Sequence, residues 1–169
     1  MVIGSLTLVL AVSFALVQTD YRRLLAFSAI SQVGFILLGV GSATTVGIVG
    51  ALFHMLNHAT YKSCLFLTAG SIERQTGSSD LTQLGGLRRK MPITFTCFLV
   101  AAASGAGIPL FAGFFSKELI FDALLEHGTA YYLIALVGSF LTTLVFLKLG
   151  HAVFFGHPSG EPSEVKEAP

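Results

Sequence analysis

The sequence predicts an all-α membrane protein of five to six transmembrane helices, and three observations predict it. Charged side chains make up 11% of the 169 residues, against about 25% in an ordinary soluble domain. Hydrophobic residues make up 53% and the mean hydropathy is +0.78, more apolar surface than a water-soluble fold of this size can hide. The few charges are also clustered, leaving long uncharged runs at Met1–Thr19, Leu24–Tyr61, Met91–Ser116 and Gly128–Leu147 if histidine is neutral. Each is close to or longer than the about 20 residues that cross a bilayer. Backbone polar groups find no partner in lipid, and the alternation of a barrel strand is missing, so the spans are helical.

The spans fall near 2–18, 24–42, 46–72, 92–110, 114–127 and 130–155, a transmembrane domain over 1–156, with 157–169 a polar tail or loop. The first is not a signal peptide in this reading, because it has no basic leader and Gln18-Thr19-Asp20 is no small-residue cleavage site. Arg22 and Arg23 follow span one, and Arg74, Arg88, Arg89 and Lys90 follow span three, while the turn Gly41–Thr45 carries no cation. The positive-inside rule puts both basic loops on the cytoplasmic side, or on the matrix side in an organelle. The net charge is +1 and no basic stretch is interleaved with aromatics, so nucleic acid is excluded as a partner. Cys64 and Cys97 stand 33 residues apart in apolar runs, and read as small buried hydrophobes.

Lys62 is the first residue that needs explaining, since it sits within the Val46–Ile72 run. A central lysine costs about 2.5–3.5 kcal/mol on insertion, whereas the run's Leu, Ile, Phe and Val residues return roughly 3–6 kcal/mol. His54 and His58 precede it at i−8 and i−4, so the three line one helix face over roughly 12 Å. That spacing suits proton hops through one or two waters, ending on a lysine whose charge the low dielectric disfavours. Asn57 and Thr60 add polar atoms nearby. The alternative is packing, with the histidines bonded to neighbouring helices and the lysine paired with an acid of another chain. No third ligand accompanies His54 and His58 for a metal. Nor can one helix present both histidines to opposite faces of a haem iron.

The second constellation is Ser104-Gly105-Ala106-Gly107-Ile108-Pro109, followed by Ala112-Gly113-Phe114-Phe115-Ser116-Lys117-Glu118. Gly105, Gly107 and Pro109 break a helix, and a broken helix at membrane depth lines protein or a water-filled cavity. Lys117 and Glu118 open the next helix, with Asp122 one turn on. Such a break is a usual ion site in transporters; it is equally an ordinary turn with Lys117 snorkelling to the interface. Lys148 lies within the last span, where snorkelling and function are balanced. Ser28, Ser31 and Gln32 on the second span read as interhelical hydrogen-bonding groups.

Six motifs in order carry a resemblance over about residues 20–155. They are Asp20-Tyr21-Arg22-Arg23-Leu24-Leu25-Ala26-Phe27-Ser28, Ser31-Gln32-Val33-Gly34, His54-x-x-x-His58-Ala59-x-x-Lys62, Leu65-Phe66-Leu67-x-Ala69-Gly70, Gly85-Gly86-Leu87-x-x-x-Met91-Pro92 and Gly107-Ile108-Pro109-x-x-x-Gly113-Phe114-x-Ser116-Lys117. Together they resemble the antiporter-like membrane subunits of respiratory complex I, a family shared with multisubunit cation/proton antiporters and energy-converting hydrogenases.

The resemblance implies a module that translocates protons, or sodium, driven by redox chemistry in other membrane subunits. It implies a non-redox subunit without cofactor or catalytic centre of its own, in a prokaryotic cell membrane. By position, Lys62 resembles the family's central lysine, His58 and His54 the histidines leading to it, and Lys117 with Glu118 the terminal pair on the discontinuous helix. Lys148, Asp122 and Asn57 are secondary candidates. Glu118 stands where the quinone-oxidoreductase branch often has Asp, and Lys148 where the family often has Arg. The chain matches the second of two inverted repeats, which implies a split gene product or truncated frame; the alternative function is a non-conducting structural subunit or remnant.

Overall fold

The computed structural model describes residues 1–157 and 165–167. It contains six α-helices, α1 (Val2–Val17), α2 (Tyr21–Gly41), α3 (Thr45–Thr76), α4 (Pro92–Ala106), α5 (Ala112–Leu125) and α6 (Thr129–Gly150), the last running on into a π-helical turn, His151–Phe155. No strand forms among the described residues. The span predicted near 46–72 extends to Thr76, and the break predicted near 104–117 narrows to Gly107–Phe111. Of the predicted polar tail, residues 158–164 and 168–169 lie outside the described residues. Within the rest, Val165 is buried, and the Glu167 carboxylate accepts from the backbone N–H groups of Ile93 and Thr94 at the start of α4.

Local chemistry sets the boundaries. Asp20 caps α2 by accepting from the Arg23 N–H at 2.9 Å, and Thr44 caps α3 by accepting from the Gly47 N–H at 3.1 Å, each satisfying a donor that a helix start leaves unpaired. α3 ends on Gly77 at φ 73°, the left-handed position that glycine occupies without strain. Pro92 opens α4, where its missing N–H is harmless. Hydroxyls facing outward close on their own helix, as Thr7 on Ile3 O and Ser13 on Val9 O, so they present no free donor to lipid.

The α1–α2 connection meets the α3–α4 loop, with the Tyr21 N–H on Ser79 O, the Leu81 N–H on Thr19 O, and Arg22 paired with Glu73. The basic segments therefore share one end of the bundle. α3 packs between α2, α4 and α5, while α1 lies against α2 and α6. The apolar interior is divided in two. One cluster joins Val12, Leu24, Leu25, Leu65, Ile72, Phe98 and Leu149 at the basic end; the other joins Leu8, Phe35, Leu38, Ile120 and Leu124. On α2 their facing edges, Leu25 and Phe35, stand roughly 15 Å apart along the axis.

Candidate functional site

Buried polar side chains fill the gap between the two clusters. Ser28, Ser31 and Gln32 come from α2, His54 and Lys62 from α3, Ser116 and Lys117 from α5, and Thr142 from α6, all nearly or wholly buried. Four helices thus contribute to one layer at mid-depth. Polar groups are held there only if they bond to one another, and nearly all do.

Lys62 reaches away from its own helix. Its Nζ donates to Ser28 Oγ at 2.5 Å and to Leu25 O at 3.3 Å, and lies 5.3 Å from the Phe146 ring centre, within cation–π range. Ser28 in turn donates to Leu25 O. The ammonium therefore sits at the edge of the layer nearer the basic end. Lys117 occupies the opposite edge. Its Nζ donates to Gly105 O at 2.9 Å, Ala106 O at 3.3 Å and Ser139 Oγ at 3.3 Å, over the Phe35 ring at 5.0 Å. Gly105 and Ala106 end α4, so the lysine serves the carbonyls that the break exposes and meets the negative end of that helix dipole.

The break exists to allow this approach. Gly107 turns the chain at φ 84°, and a Cβ there would lie 3.1 Å from Lys117 Cδ. Leu110 also takes positive φ, at 81°, a strained choice for a branched side chain. Gly113 lets the first turn of α5 lie directly on Ser104 O, where a Cβ would collide. Asn57 bonds α3 to this corner, donating to Ala112 O at 3.0 Å.

The two histidines lie between the lysines. Their rings stack, 6.5 Å apart and 14° from parallel. His54 Nδ1 faces Ser116 Oγ at 2.9 Å, and its Nε2 faces Gln32 Oε1 at 3.3 Å, so both nitrogens are engaged and neither offers a lone pair to a metal. His58 packs edge-on against Tyr61, within electrostatic reach of Lys62, and its buried Nε2 has no partner among the described residues. The order across the layer is Lys62, His58, His54, Ser116, Lys117. Lys62 stands at one end of this order because its side chain leans toward the N-terminal half of α2, onto Leu25 and Ser28.

Glu118 and Asp122 are exposed on the outer face of α5, and Lys117 makes no salt bridge with Glu118 among the described residues. Neighbours in a helix point about 100° apart, so a lysine aimed into the layer turns the next residue outward. Lys148 lies outside the layer and donates to Leu16 O and Gln18 O, both at 2.7 Å. Tyr61 and Thr142 join the layer unannounced by any motif; α3 and α6 carry several other polar side chains, and nothing in the sequence singles these two out.

Fold and site define a polytopic membrane protein with a discontinuous helix and ionisable side chains at mid-depth. The chain belongs to the family described as NADH:quinone oxidoreductase/Mrp antiporter, TM, whose model matches residues 1–142. It is 40% identical over 174 residues to a probable K(+)/H(+) antiporter component of Rhizobium meliloti (98% of this chain, 17% of that protein). It is 39% identical over 158 residues to the L component of NADH-quinone oxidoreductase from Escherichia coli (92% of this chain, 25% of that protein). Among solved structures, the membrane-bound sulfane sulfur reductase, an archaeal respiratory membrane complex, contains a chain 40% identical at TM-score 0.93, covering 98% of this chain and 28% of that one. The chain thus spans between a sixth and under a third of the length of these relatives.

Proposed function

We propose that this chain forms one proton pathway of an antiporter-like subunit in a multisubunit assembly of a prokaryotic cell membrane. The K(+)/H(+) antiporter and NADH-quinone oxidoreductase relatives supply two settings for it. The chain's exposed apolar side chains, such as Ile3, Leu67 and Phe140, suit lipid and neighbouring membrane subunits.

One observation favours the proton over sodium. The buried layer holds two lysines, two histidines, an amide and hydroxyls, and no buried carboxylate among the described residues. A sodium ion would meet two ammonium groups and no formal counter-charge in a medium that amplifies repulsion. A proton needs only groups that accept and release it, spaced for hydrogen bonds or a single water. The unpartnered Nε2 of His58 is where such a water has a ready ligand.

In this reading Lys62 and Lys117 are the loading positions, and the histidines and Ser116 carry exchange between them. A movement elsewhere in the assembly that changes the local field shifts which lysine holds the proton. Glu118 and Asp122, facing outward, serve the contact with the rest of the assembly. The test is Lys62→Ala in the reconstituted complex. Driven proton uptake should vanish while electron transfer or complex assembly persists. Uptake at the wild-type rate would reject the pathway and leave a structural, non-conducting role.

A further inference from the structure

Gln32 is a buried amide on α2 to which the pathway above gives no role, and its hydrogen bonds are directional. Its Nε2 donates to Thr142 Oγ1 at 3.1 Å. Thr142 cannot reverse that bond without giving up its own donation to Gly138 O at 2.8 Å. The amide oxygen therefore points the other way, where it accepts from the Tyr61 hydroxyl at 3.3 Å and faces His54 Nε2 at 3.3 Å. An oxygen there requires a hydrogen on Nε2. Neutral His54 then carries its lone pair on Nδ1, against Ser116 Oγ.

Ser116 is suited to both protonation states. It donates to Nδ1 when His54 is neutral, and to Gly113 O, 3.1 Å away, when Nδ1 holds a proton and donates to it. His54 thus gains and loses a proton through Nδ1, on the Lys117 side. Its Nε2 hydrogen faces a carboxamide oxygen, which is far too weak a base to take it. An imidazole passes a proton straight through only if one nitrogen accepts while the other releases.

Resting on the pathway reading, we propose that Gln32, held by Thr142 and Tyr61, is a positioning residue that locks His54 in one tautomer and insulates the Lys117 half of the layer from the His58–Lys62 half. Conduction across the layer then requires the amide to let go of Nε2, which couples proton passage to relative movement of α2, α3 and α6. The lock is what keeps an antiporter-like pathway from short-circuiting.

The experiment measures passive proton leak under an imposed membrane potential, alongside driven uptake, in proteoliposomes of the complete complex. Gln32→Glu places a basic oxygen where the amide oxygen stood. The carboxylate takes the Nε2 hydrogen as Nδ1 receives a proton from the Ser116 side, then releases it toward His58. Leak should rise on the order of 100-fold, the scale of a positioned proton acceptor. The double variant Gln32→Glu/Lys62→Ala should return leak to the wild-type level, which a merely loosened bundle would not do. Thr142→Val, nearly isosteric, frees the amide to turn and should also leak, by about tenfold if reorientation lifts the lock for a tenth of the time. Wild-type leak in both Gln32→Glu and Thr142→Val overturns the lock, as does leak that survives Lys62→Ala. If Lys62→Ala alone leaves driven uptake intact, the pathway reading has failed; if it abolishes uptake while Gln32→Glu and Thr142→Val both stay tight, only the lock has failed.

Discussion

Replacing Lys148 with methionine separates a structural lysine from a conducting one. The Nζ of Lys148 donates at 2.7 Å to both Leu16 O and Gln18 O, where α1 leaves its last carbonyls without an intrahelical partner. Methionine keeps most of the stem's packing and removes the donor. A hydrogen bond to a charged group contributes about 1.5–3 kcal/mol. The side chain is only partly buried, so water recovers a share for both carbonyls, and the net loss is about 2 kcal/mol. For a domain of this size that lowers Tm by about 4–8 °C. Lys148→Arg, whose guanidinium spans two carbonyls, should restore most of it. The assay pairs a thermal unfolding scan of the purified complex with driven proton uptake per folded complex. Uptake should stay near wild type in both variants. Uptake lost in Lys148→Met at an unchanged Tm would refute the reasoning and make Lys148 part of the conducting set.

Three further outcomes follow from the geometry. Gly34→Leu should disrupt the α1–α2 hairpin, because even a Cβ there comes within 2.6 Å of the Leu8 backbone; the check is loss of complex assembly on a native gel, with Gly70→Leu, where nothing lies within 4 Å, as the tolerated control. Gly107→Val forces a branched residue to φ 84° beside Lys117, at about 1–2 kcal/mol of backbone strain alone, and should reduce driven uptake more than it reduces Tm. The Ser79 hydroxyl bond, with help from the Arg23 N–H, holds the Asp20 carboxyl below its ordinary 3.8. A depressed folded-state value gives stability that is present above about 3.8 and fades as pH falls through the lower value. Amide exchange in the 78–84 loop should therefore accelerate only below about pH 4, and Asp20→Asn should flatten that dependence.

Much of the bundle is legible in the chain because the bilayer imposes simple rules. Length without charge gives the helices, and glycines with proline mark where α4 must stop; the caps Asp20 and Thr44 start α2 and α3 somewhat earlier than the spans placed near 24–42 and 46–72. The three-residue face of His54, His58 and Lys62 also follows from helical periodicity alone. Glu118 shows how far periodicity reaches: being adjacent to Lys117 already turns it about 100° away, so a motif that joins the two as a pair does not make them face one site.

What the sequence by itself determined is which helix carries each polar residue, since that depends on one chain segment and its solvent; it leaves Lys117 and Lys148 balanced between the interior and the interface. Only the tertiary structure decided what each polar group meets. That Lys62 leans onto Ser28 and Leu25, that Lys148 closes the end of α1, and that Gln32 stands between Thr142 and His54 all depend on helix crossings set by close contacts such as Gly34 against Leu8. Hydrogen bonds are directional and short, so a shift of about one ångström in a crossing exchanges one partner for another. No pattern within a single helix encodes that choice.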